Sequence, residues 1–273
     1  MAEEGAPPPS QQIARQTAAQ LLAVGMTRQA YAELVREAAR TEEETERAAL
    51  QREAGALLWQ AGAWEDAARH FSWLGDDPDA RLGLAYSLYR QGRLLPARSL
   101  LQERADAEAL YLDGLLLLRQ GQAEAAVRTW RRLPADSPLA PRALEASSRV
   151  QAWGRIPRRS PAATGTLSAL LPGLGQASLG RWGEAASALI VNGLLIGGTV
   201  EMARRELWAG AGLLAFFELG FYGGNVMSAV NGARRFNRRA LEERVAPLEQ
   251  SHGLVLEPTS AGWSAPPANP GSP

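Results

Sequence analysis

Few side chains in this sequence could do chemistry. The 273 residues contain no cysteine and only two histidines, His70 and His252, and all 29 basic residues are arginine. The absence of cysteine excludes disulfides, thiol nucleophiles and cysteine-type metal sites, and the absence of lysine excludes a lysine-dependent mechanism. No catalytic triad and no metal-ligand spacing can be assembled from the other residues. We therefore predict a non-enzymatic protein with no catalytic residue, cofactor or metal.

The candidates for a functional role are polar residues inside two apolar stretches. The first stretch, residues 185–203, contains Asn192, and the second, residues 207–230, contains Glu218 and Asn225. A helix of about 20 apolar residues is long enough to cross a bilayer. Both stretches are therefore predicted to span a membrane and, because only a short turn separates them, to form a helical hairpin.

Glu218 lies near the middle of its stretch, where a carboxylate is costly unless it is paired or protonated. In an antiparallel hairpin, Asn192 would lie at the same depth. Three roles remain open for this pair. Glu218 could handle protons or ions in a small oligomeric channel, or make a polar contact that fixes an oligomer. The third role, which we favour, is a protonated Glu218 hydrogen-bonded to Asn192 within the hairpin.

The elements that must position these residues begin with a helical region, residues 12–153, which is rich in alanine, leucine, arginine and glutamate. This region contains a repeated frame. Leucine is followed four residues later by glycine, then five later by alanine, then four later by a large apolar residue. Glycine is predicted to end a first helix, and alanine to let a second helix pack against it. The four copies of the frame begin at Leu21, Leu58, Leu88 and Leu117.

This frame resembles the tetratricopeptide repeat, whose glycine, alanine and aromatic positions match at this spacing over residues 12–133. The resemblance implies stacked helix pairs in which the first helix of each pair lines a groove for a protein partner. Arg90 and Arg119 occupy the same repeat position and are predicted to hold acidic groups of that partner. The alternative is that each arginine only stabilises the end of its own helix.

A basic linker, residues 154–183, leads from the repeats to the apolar hairpin. Pro172 and Gly173 within it are predicted to break any helix. We expect a short amphipathic or re-entrant segment here, lying in the membrane interface. Arg181 and Trp182 would then anchor this segment among the lipid headgroups.

The same linker carries the string LPGLGQASLGRWGEA, in which Gly175 and Gln176 follow the predicted helix break. This string resembles the opening of a two-span membrane domain of uncharacterised bacterial proteins, and the resemblance extends over residues 167–239. It implies a membrane architecture and carries no known chemistry. We treat the motif as an interfacial element of the membrane domain.

Charge indicates how the hairpin lies in its membrane. Residues 154–244 are net basic and residues 1–153 net acidic, as expected beside a lipid surface and not in a nucleic-acid groove. Arginines are more frequent outside the two spans than in the turn between them, which predicts that both termini are cytoplasmic. No signal peptide is recognised. An unrecognised one would place the repeats in the periplasm instead.

These features predict an all-α protein that acts as an adaptor or scaffold in the bacterial inner membrane, with a role in envelope or membrane-protein assembly. Its partners would be another protein and the lipid bilayer, with homo-oligomers possible and no nucleic acid. The alternatives are a channel or transporter that uses Glu218, and a soluble all-α interaction protein. The predicted regions are a disordered tail (1–11), a tetratricopeptide-like solenoid (12–153), the basic linker (154–183), a membrane hairpin with a basic exit helix (184–244) and a second disordered tail (245–273).

Overall fold

The structure is a computed structural model that describes residues 8–102, 104–259 and 262–265. Over these residues the chain is helical apart from one two-stranded ribbon, which confirms the predicted all-α class. The chain forms two compact units. The first unit comprises residues 1–153 and 245–273, and the second comprises residues 154–244.

The first unit is a series of helices in which each packs against the next along the chain. Two of these helices begin at an aspartate whose side chain accepts a hydrogen bond from a backbone amide, Asp77 from Ala80 and Asp106 from Ala109. The helices are α1 (Pro9–Ala23), α2 (Thr27–Arg40), α3 (Glu44–Gln60), α4 (Trp64–Trp73), α5 (Pro78–Arg90), α6 (Leu94–Ser99), α7 (Ala107–Arg119), α8 (Ala123–Trp130) and α9 (Ala140–Ala152).

The repeat glycines end the first helix of each pair because they adopt backbone angles that other residues avoid. Their φ angles lie between +70° and +79°, at Gly25, Gly62, Gly92 and Gly121. At Gly62 the amide bonds to the carbonyl of Trp59, and the amide of Ala63 bonds to that of Leu58. These two bonds satisfy carbonyls left free at the end of α3.

The other repeat positions form the contacts between helices. The repeat alanines are fully buried, at Ala30, Ala67, Ala97 and Ala126. The large residue of the second copy, Phe71, packs against Gly55 of α3 and Gly83 of α5, where a Cβ would overlap its ring. Trp130 packs in the same way against Gly114 of α7. Small residues on the first helices thus make room for large residues on the second helices.

The second unit contains α10 (Pro161–Leu170), α11 (Leu174–Ser178), α12 (Trp182–Arg204) and the greater part of α13 (Trp208–His252). The predicted helix break at Pro172–Gly173 is confirmed, because α10 ends before it and Gly173 has a φ of +90°.

Contacts near the turn between α12 and α13 fix their antiparallel register. Gly198 packs against Leu214, and Gly210 packs against Met202. In an antiparallel pair, each residue further along α12 lies beside a residue one position earlier in α13. This register places Asn192 beside Gly220 and therefore at nearly the depth of Glu218.

The C-terminal segment, which we define as residues 245–265, differs from the predicted disordered tail. It continues α13 to His252 and ends in an antiparallel ribbon of β1 (Glu257–Thr259) and β2 (Gly262–Ser264). The physical reason is burial, because Leu254 and Leu256 are 4% and 5% exposed.

The predicted N-terminal tail differs at its end as well, since α1 already begins at Pro9. The remaining parts of both predicted tails, residues 1–7 and 266–273, lie outside the described residues.

Candidate functional site

The first candidate site is a face of the first unit formed by α3, α5, α7 and α9 together with Phe71 of α4. We call it the segment face because the C-terminal segment lies on it. Arg119 of α7 donates to Glu249 of the segment through Nε at 2.7 Å and through Nη2 to the other carboxylate oxygen. The Tyr89 hydroxyl also donates to Glu249, at 2.6 Å. Burial and the negative charge of Glu249 raise the pKa of Tyr89, which keeps its hydroxyl protonated as a donor.

Three consecutive backbone carbonyls of the segment accept hydrogen bonds from this face. The carbonyl of His252 accepts from the Tyr111 hydroxyl at 2.6 Å, and that of Leu254 from the Tyr86 hydroxyl at 2.9 Å. Between them, the carbonyl of Gly253 accepts from Arg142 of α9 at 3.3 Å. The face therefore binds main-chain atoms at these positions. It also contacts side chains there, since Nε2 of His252 lies 3.3 Å from the carboxylate of Glu145 in α9 and the Leu254 side chain is buried.

The segment ends against the face with an indole ring. The Trp263 ring lies 4.8 Å from that of Trp59 and 5.8 Å from that of Phe71, measured between ring centroids. Its Nε1 donates to the backbone carbonyl of Asp79 at 2.8 Å. An apolar body with one satisfied polar atom is the favourable way to bury tryptophan.

Arg52 fixes the edge of this aromatic site. Its guanidinium pairs with the Asp79 carboxylate at 3.0 Å and donates to the carbonyl of Thr259 at 3.2 Å. Burial raises the pKa of Asp79, and the charge of Arg52 opposes that rise. An ion pair of the first unit thereby holds the first strand of the ribbon.

The two arginines predicted to act alike lie in different surroundings. Arg119 binds the acidic side chain of the segment. Arg90 instead stacks over Trp64, with its Cζ 3.9 Å from the ring centroid, and donates to the Tyr86 hydroxyl at 3.1 Å. Arg90 thus positions a tyrosine that contacts the segment and makes no described hydrogen bond to the segment itself.

Sequence reasoning missed the tyrosines and the two buried arginines of this face, because nothing in their spacing marks them as hydrogen-bond donors. One signal was present, namely a single tryptophan in an otherwise polar, proline-rich tail. The missed residues that contact the segment are Arg52, Trp59, Tyr86, Tyr89, Tyr111 and Arg142.

The second candidate site is a buried polar cluster in the second unit. Ser168 donates to Oε1 of Gln176 at 2.8 Å, and Nε2 of Gln176 donates to Oδ1 of Asn225 at 2.6 Å. All three side chains are buried. Gly173 and Gly175 allow this cluster, because a Cβ on Gly173 would meet the carbonyl of Ala185 and one on Gly175 would meet Ser168. These motif residues therefore lie in the packing of the unit.

An open cleft of about 890 Å³ lies between α12 and α13, and Asn192 and Asn225 line it. The favoured hydrogen bond between Asn192 and Glu218 does not form. Asn192 donates instead to the carbonyl of Ala188 at 2.6 Å. Among the described residues, Oδ1 of Asn192, Nδ2 of Asn225 and both carboxylate oxygens of Glu218 have no hydrogen-bond partner.

At the start of α12, Arg181 and Trp182 differ in their surroundings. Arg181 pairs with Glu184 and donates weakly to the carbonyl of Ser228, at 3.5 Å. Trp182 is 71% exposed, so its indole ring is accessible to the surroundings of the protein. That arrangement is compatible with an interfacial aromatic anchor.

Among the residues that the structure describes, neither site contains an activated nucleophile or a pair of facing carboxylates. In the part of the chain that the structure describes, no group of three or more histidine, aspartate or glutamate side chains is arranged to hold a metal ion. Comparison of the chain with protein-family models, with curated proteins and with solved structures found no match.

Proposed function

We propose that this protein is a membrane-anchored adaptor of the bacterial inner membrane, with a role in envelope or membrane-protein assembly. The second unit would hold the chain in the bilayer through α12 and α13. The first unit would be a tetratricopeptide-like stack that binds a polypeptide segment of a partner protein. The observation that carries the binding role is the segment face, on which three first helices and α9 together hold a polypeptide through its main-chain carbonyls and through side chains such as Glu249 and Trp263.

The exposure of α12 and α13 supports the membrane anchor. Both helices are long and apolar enough to cross a bilayer, yet only 11% of the most apolar 18-residue stretch of each helix is buried. Leu194, Phe216 and Leu219 are more than 70% exposed. An apolar surface of this kind favours association in water, whereas lipid is its natural solvent. A soluble protein with the hairpin as its core is not favoured, since a core would be covered.

The arginine distribution supports an orientation with both termini in the cytoplasm. Arginines flank the outer ends of the two helices, whereas Arg204 and Arg205 at the turn are accompanied by Glu201 and Glu206. The positive-inside rule counts basic residues, and the contrast is nine arginines near the outer ends against two in the turn. The positive-inside tendency then retains the repeats in the cytoplasm.

Fractionation of cells that express the full-length chain with an N-terminal tag tests this proposal. We expect the protein to remain in the membrane pellet after an alkaline carbonate wash, because α12 and α13 are solvated by lipid. We also expect the tag to resist protease added to spheroplasts and to be cleaved once the membrane is permeabilised. A periplasmic and a cytoplasmic marker protein serve as controls.

Recovery in the carbonate supernatant would contradict the anchor. Cleavage of the tag in intact spheroplasts would contradict only the orientation and would place the repeats in the periplasm. The two results are independent, because the wash reports attachment and the protease reports sidedness.

A further inference from the structure

The contacts of the C-terminal segment define what kind of ligand the segment face accepts. At one end the face offers Arg119 and Tyr89, two donors that converge on a single carboxylate. This arrangement requires an acidic side chain. A basic side chain here would face an arginine and would leave both donors without an acceptor.

Next along the segment, the face offers donors to three successive carbonyls, at residues 252, 253 and 254. Carbonyls are common to every polypeptide, so these three hydrogen bonds set the path of a ligand. The contact of His252 with Glu145 and the buried Leu254 side chain add a dependence on its sequence. A polypeptide is the ligand class that supplies carbonyls at this spacing. A small anion or a lipid headgroup does not.

At the far end, the face offers Trp59 and Phe71 together with the carbonyl of Asp79, which accepts from the indole N–H. This site requires an aromatic side chain with a donor at its edge. Tryptophan fits both requirements, whereas phenylalanine would leave the carbonyl without its partner.

We infer that the segment face binds an acidic, tryptophan-containing polypeptide segment of a partner protein, and that the C-terminal segment of this chain is its built-in competitor. The inference rests on the proposed function, since it names the partner chemistry and the regulation of the same site. A partner must displace the C-terminal segment before it binds. The adaptor is therefore closed until a partner with matching chemistry is abundant enough.

The acidic contact is suited to such an exchange. The Arg119 side chain is 42% exposed and the Glu249 side chain 12% exposed in this pair, so the arginine is accessible to a competing carboxylate. Tethering compensates for weak contacts, because a linked segment competes at an effective concentration on the order of millimolar. The segment is thus held by its contacts with the segment face and by its covalent link to the same chain.

Binding of a fluorescent peptide that copies residues 245–265 to the full-length protein in detergent micelles tests the inference. Wild-type protein should bind this probe weakly. The double variant Glu249→Ala, Trp263→Ala loses the anchors of its own segment and should bind the probe at least about tenfold more tightly, because the tethered competitor is weakened. Glu257→Ala is the matched control, since Glu257 is an exposed acid in the same segment, and it should bind like wild type.

Adding Arg119→Glu to the double variant should reduce probe binding by at least about tenfold, whereas adding Arg128→Glu, on the exposed surface of α8, should not. Equal binding of the probe by wild type and double variant would overturn the competitor. If Arg119→Glu does not reduce probe binding, or if no variant binds the probe, the segment face is not a peptide site.

Two further results show whether the bound segment comes from the same chain or from a second copy, and whether a failure concerns the anchor or the peptide site. Tighter probe binding on dilution of the wild-type protein would show that two copies exchange segments, which would overturn competition within one chain. A protein that fails the carbonate wash but passes the probe assay contradicts the anchor alone. A protein that passes the wash and fails the assay contradicts this inference alone.

Discussion

At the scale of single residues, His70 is a buried imidazole held in its neutral form. Its Nδ1 accepts from the Tyr31 hydroxyl at 3.0 Å, and its Nε2 donates to the carbonyl of Gln51 at 2.8 Å. Both partners fit the neutral ring with its proton on Nε2, whereas a protonated ring would require the Tyr31 hydroxyl to turn and accept from Nδ1. Burial lowers the pKa of His70.

This lowered pKa predicts a loss of stability in mild acid. As the pH falls below about 6.5, the unfolded chain protonates this histidine before the folded chain does, so the free energy of unfolding decreases. Each unit by which the pKa is lowered adds about 1.4 kcal/mol to the eventual loss. We expect the midpoint temperature of thermal unfolding of the first unit to decrease when the pH is lowered from 7 to 5 in wild type. We expect a smaller decrease in His70→Gln.

His252 is present in both proteins, so the difference between them isolates His70. Thermal unfolding followed by tryptophan fluorescence measures the midpoint. A His70→Gln variant with the same pH dependence as wild type would contradict the assignment. Above pH 7 the two proteins should show no pH-dependent difference from this group.

At the scale of elements, a glycine determines how α10, α11 and α12 join. Gly173 has a φ of +90°, and a Cβ there would overlap the backbone of Ala185 at the start of α12. The break between α10 and α11 therefore depends on both the backbone freedom of glycine and the absence of its side chain. The same break brings Ser168 of α10 to Gln176 of α11, which in turn donates to Asn225.

Gly173→Ala is expected to disrupt this junction. The left-handed conformation costs a non-glycine residue about 1–2 kcal/mol, and the backbone contact adds to that cost. We expect less protein in the membrane fraction and faster proteolysis of the second unit. Gly183→Ala is the matched control, because Gly183 lies in α12 with nothing within 4 Å of its added Cβ.

Alanine at position 183 should be neutral or should stabilise α12 slightly, since alanine exceeds glycine in helix propensity by about 1 kcal/mol. Equal yields and equal protease resistance for the two variants would contradict the structural role of Gly173.

At the scale of the whole molecule, the chain leaves the first unit at residue 153 and returns to it at residue 245. The return brings residues far apart in sequence into contact, as in the hydrogen bond from Tyr86 to the carbonyl of Leu254. Leu254 and Leu256 are buried by this return, while Val255 between them is 52% exposed. The alternation gives the segment one apolar side.

Leu254→Ala and Leu256→Ala should therefore destabilise the first unit. Replacing a buried leucine by alanine costs about 2–5 kcal/mol, unless the segment detaches first and limits the loss. Val255→Ala should change the free energy of unfolding by less than about 0.5 kcal/mol. Chemical denaturation of the full-length protein measures all three. Identical midpoints for the three variants would indicate that the segment does not dock.

Several features of this protein follow from sequence alone. The all-α class, the glycine that ends each first helix and the break at Pro172–Gly173 depend on backbone preferences of single residues, so they can be inferred from residue types at fixed spacing. The length and composition of α12 and α13 likewise depend only on a continuous stretch of chain.

Only the tertiary structure decided where Arg90 and Arg119 point and what the C-terminal segment contacts. The two arginines share a repeat position, yet one stacks on Trp64 and the other binds Glu249, because their neighbours come from different parts of the chain. The segment has no strong local preference for order. Its structure comes from one carboxylate, three carbonyls and one tryptophan that find partners more than 100 residues away, and no local pattern encodes such long-range contacts.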